Sequence, residues 1–494
     1  MKRAEKPAVI EKRSFWIKPF TREITPLDWE AGIIAYVQNF GDKIRAGFKN
    51  QIYLPENGKH GFYYGMEDYR KFQNILLRRI KEKGPVYLEE ETKLCFQSCE
   101  EIVGAVKNLQ LALGKKSNSK IVQFYQGYLE KFKRYCFYLE MIPAIEDYLE
   151  KTVKDLLYET LKDKSKREID DYFSIILTKI KKVTAEEEEV DKFKLAVSLR
   201  EGKDIDVKIN QHLKKYAWLP FYGLATTKPL KKEDILKDLR KIKNPRQQLT
   251  KRLREIKEQE RRLKEVKTDL ACHDSRRLLK WIKILQDYLY LRTYRTDAYR
   301  RMLFHLKAFA EYLAKETNWK YHDIIYLRPC EIVDFLSAQK LPLLRELDKR
   351  RKHWAIIVKN GILKFVSNEG QIENIRKSEF VEEVEKAEVI KGNVAQRGKA
   401  RGIVRLIRIK KDWERMKNGN ILVTHMTKPE MILVIRKAAA IVTDEGGITC
   451  HAAIVSKEFG IPCIVGTQIA TKVLKDGDFV EIDAGAGIIK KLKK

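Results

Sequence analysis

The sequence predicts a multidomain α plus α/β protein: a largely helical N-terminal region followed by a compact C-terminal α/β domain. Three observations carry this. Apolar residues recur at helical spacings through most of residues 97–385. A composition shift begins near Val389, after which short apolar runs alternate with glycine turns. Within that part, Ala438 to Val442 leads through Gly446-Gly447 and His451 to Ala452–Val455 and Gly460. That is the order of a strand, a glycine turn and a glycine-stopped helix.

The 494 residues allow two to four domains, at about 150 residues each. With 44% hydrophobic and 34% charged residues, sizeable cores fit under a heavily charged surface. No apolar run approaches the roughly 18–20 residues needed to cross a bilayer. Met1 to Ile10 has no apolar stretch of signal-peptide length. A cytoplasmic protein with no membrane partner is expected. The seven cysteines are scattered. Cys95 and Cys99 share a helix face, but no second pair completes a zinc set, so no metal site is expected.

Net charge is +31, a value a nucleic-acid binder can carry. Lysine is interleaved with glutamate, as in Lys251 to Lys267, and residues 389–494 alone hold 20 basic against 10 acidic residues. Solvated helix faces account for such a pattern, and a nucleic-acid partner is not expected.

Taken in order, residues 1–110 mix aromatic and charged segments and receive no fold. Phe15, Trp16, Ile17 and Phe20 precede Thr21–Pro26, a capped start into Trp29, Ile33 and Ile34. Glycines and a proline around Tyr53 to Tyr64 suggest strands or an ordered loop, and Tyr69 to Ile80 returns to helical spacing.

Residues 111–350 read as helical. Phe124, Tyr128, Phe132 and Tyr135 fall on one helix face. Thr184-Ala185-Glu186-Glu187 fits a capping box, and the run Glu186 to Glu189 suits the positive end of its helix. The aromatic cluster Tyr216 to Gly223 is expected to pack. Pro245 opens a charged helix in which Leu249, Ile256, Leu263 and Leu270 repeat every seven residues. Its antiparallel partner is placed at Leu278 to Leu291, making a helical arm near 245–292.

Trp354–Val358 and Ile362–Val366 flank Asn360-Gly361, a hairpin signal. With acidic Glu379–Glu388, they form an expected hairpin and hinge over 351–388. Residues 389–494 then hold strands at Ile403–Ile409, Asn420–Thr424, Ile464-Val465, Phe479–Ile482 and Ile488-Ile489, and a short helix at Pro429–Lys437.

A histidine at the start of the predicted helix has particular chemistry available. The positive helix end disfavours the imidazolium and favours an added phosphoryl group. Gly446 and Gly447 allow close approach of a phosphate donor and positive φ. Thr449 can donate to the ring or to phosphoryl oxygens, and Cys450 is a weaker donor or a small apolar neighbour. A phosphohistidine would divide one transfer into two easier steps.

The segment Gly446-Gly447-Ile448-Thr449-Cys450-His451-Ala452-Ala453-Ile454 resembles the phosphohistidine motif of the phosphoenolpyruvate-utilising enzymes, closest to the synthase-like branch. The likeness extends through Ile421–Glu430, Gly460–Thr467, Asp476–Asp478 and Asp483–Gly487. It implies a swivelling β/β/α phosphohistidine domain over 389–494, with His451 taking the phosphoryl group and Thr449 orienting it. Gly446, Gly447 and Cys450 would lie beside the phosphate. Glu445 is a departure, because many members carry arginine there.

No stretch of residues 1–388 resembles an ATP-grasp domain, and too few residues follow the motif for a phosphoenolpyruvate-binding barrel. Residues 300–345, with Ile324–Leu327 and Glu331-Ile332, are similar to the helical region of rifampicin-phosphotransferase-like proteins. The resemblance therefore implies a phosphotransferase component served by a separate ATP-grasp protein. That partner would hold ATP and Mg, and the acceptor would be pyruvate or another small molecule. A non-catalytic phosphocarrier or regulatory protein is the alternative. Trp218, Tyr222, Arg292 and Arg295 are candidate pocket residues by aromatic and basic character.

Overall fold

The computed structural model describes residues 16–18, 21–38, 40, 47–56, 58–177, 184–226, 228–273, 275–380, 389–408, 410–427, 431–447, 450–467 and 469–492. Phe15, Phe20, Thr449, the stretch 428–430 and the stretch 381–388 of the expected hinge lie outside the described residues. The chain divides into two compact units, 1–372 and 373–494.

The first unit begins with β1 (Trp16–Ile17), β2 (Thr21–Arg22), α1 (Pro26–Val37), β3 (Gln51–Glu56) and β4 (Lys59–Gly65). Long helices follow: α2 (Met66–Lys83), α3 (Pro85–Ala112), α4 (Asn118–Thr160), α5 (Lys166–Ile176) and α6 (Thr184–Arg200). Next come α7 (Asp206–Tyr216), α8 (Lys232–Lys241), α9 (Pro245–Ala271) and α10 (Arg276–Thr317). The unit closes with α11 (Tyr321–Ile324), α12 (Pro329–Ala338), α13 (Leu344–Lys352), β5 (Ala355–Lys359) and β6 (Ile362–Val366), and α14 (Glu369–Glu379) spans the boundary.

Proline at the first helical position starts α1, α3, α9 and α12, where its missing N–H costs nothing. Asn360 and Gly361 take φ of 51° and 83°, the left-handed pair that a tight hairpin needs. That hairpin is no separate element. β5 pairs antiparallel with β3, so β5 and β6 extend a sheet of order β1-β4-β3-β5-β6, with β2 also on β4. A sheet joining strands some 300 residues apart has no local signature, which is why residues 1–110 alone suggest no fold.

Two helical expectations need correction. Phe124 is exposed, and Tyr125 joins Tyr128, Phe132 and Tyr135 in the core instead. The helix face is set one residue later because Tyr125 stacks on Phe309 of α10. The distal end of α9 meets α10, with Leu263, Val266 and Leu270 buried and Lys267 donating to Gln286. Its proximal part lies against α6, with Arg252 ion-paired to Glu189 at 3.0 Å and to Glu186 at 3.7 Å. The acidic run on α6 thus meets side chains as well as its own helix end. These ion pairs join α9 to a partner that a heptad count does not reveal.

The second unit has β7 (Val389–Lys391), β8 (Asn393–Gln396), β9 (Lys399–Ile407), β10 (Asn420–Thr424), α15 (Ile432–Ile435) and β11 (Ala438–Thr443). It continues with α16 (His451–Phe459), β12 (Cys463–Val465), α17 (Ala470–Val473), β13 (Phe479–Asp483) and β14 (Ile488–Lys491). The strands form one mixed sheet, order β7-β14-β13-β9-β10-β11-β12-β8, in which β9 to β12 are parallel and the flanks antiparallel. Every residue of β10 is buried, as expected of a parallel strand covered on both faces.

Alternation along these strands sorts the core. Ile421, Val423, Ala440 and Val442 face α17, while Leu422, Ile441, Cys463 and Val465 face α15 and α16. Of the helix expected at Pro429–Lys437, the described residues form the single turn α15, and the strand expected at Ile403–Ile409 begins earlier and ends at Ile407. Among the described residues no helix is long and apolar enough to cross a membrane.

Candidate functional site

β10 and β11 run parallel and end together, at Thr424 and Thr443. Their pairing continues one step into the loops, Glu445 N–H donating to His425 O at 2.9 Å. Crevices outside the carboxyl ends of parallel strands are where such sheets place ligands. Three segments meet here: the loop after β10, the loop after β11, and the start of α16.

His451 is the first residue of α16 and is half-buried. Its Nδ1 lies 2.9 Å from Thr427 Oγ1, on the loop after β10. Cys450 precedes it in extended conformation at the N-cap position, and its side chain does not cap the helix. Among the described residues, then, the N-cap side chain leaves the first N–H groups of α16 available to an anion. Gly460 ends the helix at φ 66°, a left-handed position that glycine accepts freely.

The glycine pair divides in role. Gly446 sits at φ 112°, and a Cβ built on it would lie 2.7 Å from Cys450 Sγ. Glycine is obligatory there for conformation and for space. A Cβ on Gly447 would meet no described residue within 4 Å. Cys450 is partly buried and packs against the cluster beneath α16.

Asp444 fastens the β11 loop from below. It is 3% exposed and accepts from Thr467 Oγ1 at 2.9 Å, from the backbone N–H of Thr471 at 3.1 Å, and from the Thr471 hydroxyl. Burial alone would raise its pKa, but hydrogen bonds from His425 and the two threonines hold it below the usual range. His425 lies above it, Nδ1 3.7 Å from Asp444 Oδ2 and Nε2 3.0 Å from Glu445 Oε1. Asp444 first, then Glu445, push the His425 pKa up to about 9, so its ring is an imidazolium at neutral pH. Glu445 is thus neutralised by a cation from the neighbouring loop.

Sequence reading singled out His451, Gly446, Gly447 and Cys450, and the structure brings them together; Thr449 lies outside the described residues. It missed Thr427, His425 and Asp444 as site residues. Thr427 and His451 are 24 residues apart, and only the parallel pairing of β10 with β11 makes them neighbours.

The candidate pocket residues of the first unit have separate local partners. Trp218 donates to Lys215 O, Tyr222 lies 4.1 Å under the Arg300 guanidinium, Arg292 pairs with Glu146, and buried Arg295 donates to Leu139 O. Among the described residues no group of three or more His, Cys, Asp or Glu could hold a metal ion.

A histidine at an uncapped helix start, reached from the carboxyl edge of parallel strands, is the centre of this unit. Residues 416–487 match the family described as PEP-utilising enzyme, mobile domain, and the C-terminal unit carries a domain of that family. The chain is 52% identical over 111 residues to the probable phosphoenolpyruvate synthase of Archaeoglobus fulgidus, covering 22% of this chain and 15% of that protein. It is 53% identical over 115 residues to the phosphoenolpyruvate synthase of Pyrococcus furiosus, covering 23% of this chain and 14% of that one. The chain thus matches only about a seventh of these relatives' length. Among solved structures, holo-form aconitase X of Thermococcus kodakaraensis aligns with 22% of this chain at 22% identity, with a TM-score of 0.18.

Proposed function

We propose that the chain is a phosphotransferase component in which His451 carries a phosphoryl group between a nucleotide and a small acceptor. The observation that carries this is the hydrogen bond between Thr427 and His451 Nδ1 at the uncapped start of α16, within a PEP-utilising mobile domain. In the tautomer whose Nδ1–H donates to Thr427, the lone pair is on Nε2, which is the nucleophile. The nitrogen–phosphorus bond forms as a phosphate P–O bond of the nucleotide breaks, and the new charge faces the α16 N–H groups. In the second step that bond breaks as an acceptor oxygen takes the phosphorus and gives up its proton.

The nucleotide, ATP with Mg, is held by a separate ATP-grasp protein, and the acceptor is pyruvate or another small molecule. Support for pyruvate is the name of the matched relatives. Movement of the second unit between donor and acceptor belongs to the same reading. The test is incubation with γ- and β-labelled ATP, with and without an ATP-grasp protein. Wild type should gain an acid-labile, base-stable phosphate that His451→Ala lacks. Failure of wild type to gain it under any of these conditions overturns the proposal.

A further inference from the structure

The fold gathers positive charge that the sequence only seems to spread. Helices α6, α7 and α8 share a small core of Leu195, Ala196, Ile205, Ile209, Ile235 and Leu239, separate from the large core of the first unit. The start of α9 lies against this satellite, with Arg246 paired to Glu201 at 2.6 Å. Between Lys228 and Arg254 there are eleven Lys and Arg against three acidic residues; from Glu255 to Ala271 the count is five against five. The interleaving of lysine with acidic residues that argues against a polyanion partner is interrupted between Leu239 and Arg254, where seven Lys and Arg have no acidic residue among them.

Ion pairs leave much of this charge free. Lys232 is taken by Asp206 at 2.6 Å. Lys237, Arg240, Lys243, Lys251 and Arg254 are exposed and form no ion pair with a described residue. Lys251 and Arg254 line an open groove of about 840 Å³ with Arg200, Asn244, Gln247 and Thr250, and with Glu201, whose carboxylate is paired to Arg246. These side chains offer N–H and O–H donors at several heights. Arg246 to Arg254 spans about 12 Å of helix, a length over which a nucleic-acid duplex presents roughly seven phosphates.

The lining also says what does not fit. It contains no aromatic ring, so unpaired bases have nothing to stack on. It also lacks the aromatic anchors that dominate binding energy at protein interfaces. What remains is a basic surface with polar donors, suited to phosphate oxygens and indifferent to base sequence.

We propose that α8 and the start of α9, with Arg200 at the end of α6, form a docking surface for the backbone of duplex nucleic acid. The surface is independent of His451, so this inference and the phosphotransfer reading can fail separately.

The experiment is fluorescence anisotropy of the full chain with duplex DNA and duplex RNA of about 20 base pairs, over about 50–300 mM salt. Binding should weaken steeply with salt and not depend on sequence. The triple variant Lys243→Glu, Lys251→Glu, Arg254→Glu should bind at least about tenfold more weakly, and its salt slope should be shallower by roughly 0.9 for each phosphate it no longer neutralises. The matched variant Lys257→Glu, Arg262→Glu, Lys264→Glu makes the same charge change on distal α9 and should shift affinity less than about threefold. Circular dichroism checks the fold, and the triple glutamine variant at 243, 251 and 254 replaces the first if it fails to fold. Equal effects of the two variants, no duplex binding at low salt, or equally tight binding of poly-glutamate would each overturn the assignment. A preference between the DNA and RNA arms identifies the natural form.

Discussion

Thr427 Oγ1 lies 2.9 Å from His451 Nδ1, bridging the loop after β10 and the first residue of α16. Thr427 is 4% exposed, so its hydroxyl has little water to turn to. The bond fixes ring orientation and decides which nitrogen faces outward. Thr427→Val keeps the shape and removes the hydroxyl. One net hydrogen bond contributes about 0.5–1.5 kcal/mol, so the proposed phosphoryl uptake by His451 should slow up to roughly tenfold. Thr427→Ser should restore it. A purely structural role would not move the imidazole ¹⁵N shifts, whereas loss of the bond should mix the tautomers. Unchanged shifts in Thr427→Val would remove Thr427 from the site.

His425 supplies a pH dependence with a defined sign. Its folded pKa, about 9, is above the ordinary histidine value of 6.5. The stabilisation it contributes is complete below about pH 6.5 and is lost as pH rises through about 9. Wild type should therefore lose thermal stability in the second unit across that window. His425→Gln should show a flatter profile that converges with wild type above it. NMR titration of the ring gives the pKa directly, and a value near 6.5 would show that the contacts to Asp444 and Glu445 do not hold the charge.

How much of this site is legible in the sequence follows from where its parts lie. The strand, glycine turn and helix around His451 are contiguous and announce themselves by apolar runs and by Gly446 and Gly460. The hairpin at Asn360-Gly361 is equally local, because two left-handed residues suffice to define it. Its place in a sheet with β3 depends on pairing Tyr53 with Ile356, which no window of sequence contains. Thr427 and His425 are hidden for the same reason. Arg252 is instructive in another way: the apolar heptad suggests α10 as partner, and the ion pairs to Glu186 and Glu189 show α6. Patterning finds elements; long-range pairing and charge choose their neighbours.

The two glycines before His451 should separate cleanly on substitution. Gly446→Ala must hold φ 112° with a Cβ 2.7 Å from Cys450 Sγ. A cost of roughly 1–3 kcal/mol is expected. Gly447→Ala meets no described residue and should stay within about 0.5 kcal/mol. Urea unfolding of the second unit measures both. Equal costs would mean that the loop before α16 adopts another path.

In the first unit, Glu140 offers the sharpest test of the core. It is 2% exposed, and its Oε1 accepts from Tyr36 at 3.0 Å and from Tyr64 at 2.9 Å. Burial raises its pKa above the usual carboxylate value, while the two hydroxyls oppose that rise. With the folded pKa raised, its favourable contribution is complete below the unfolded value and is lost as pH rises through the folded one. Tyr64→Phe removes one opposing donor and raises the pKa further. The variant should cost about 1–3 kcal/mol, with a larger penalty at a higher pH than at a lower one. Once Glu140 can take up a proton it needs fewer donors, so Tyr36→Phe added to Tyr64→Phe should cost less than the sum of the single changes. A urea double-mutant cycle at both pH values reads this coupling. A penalty that is additive and independent of pH would mean the carboxyl is already neutral in the wild-type core, with the tyrosine hydroxyls serving only to fill space.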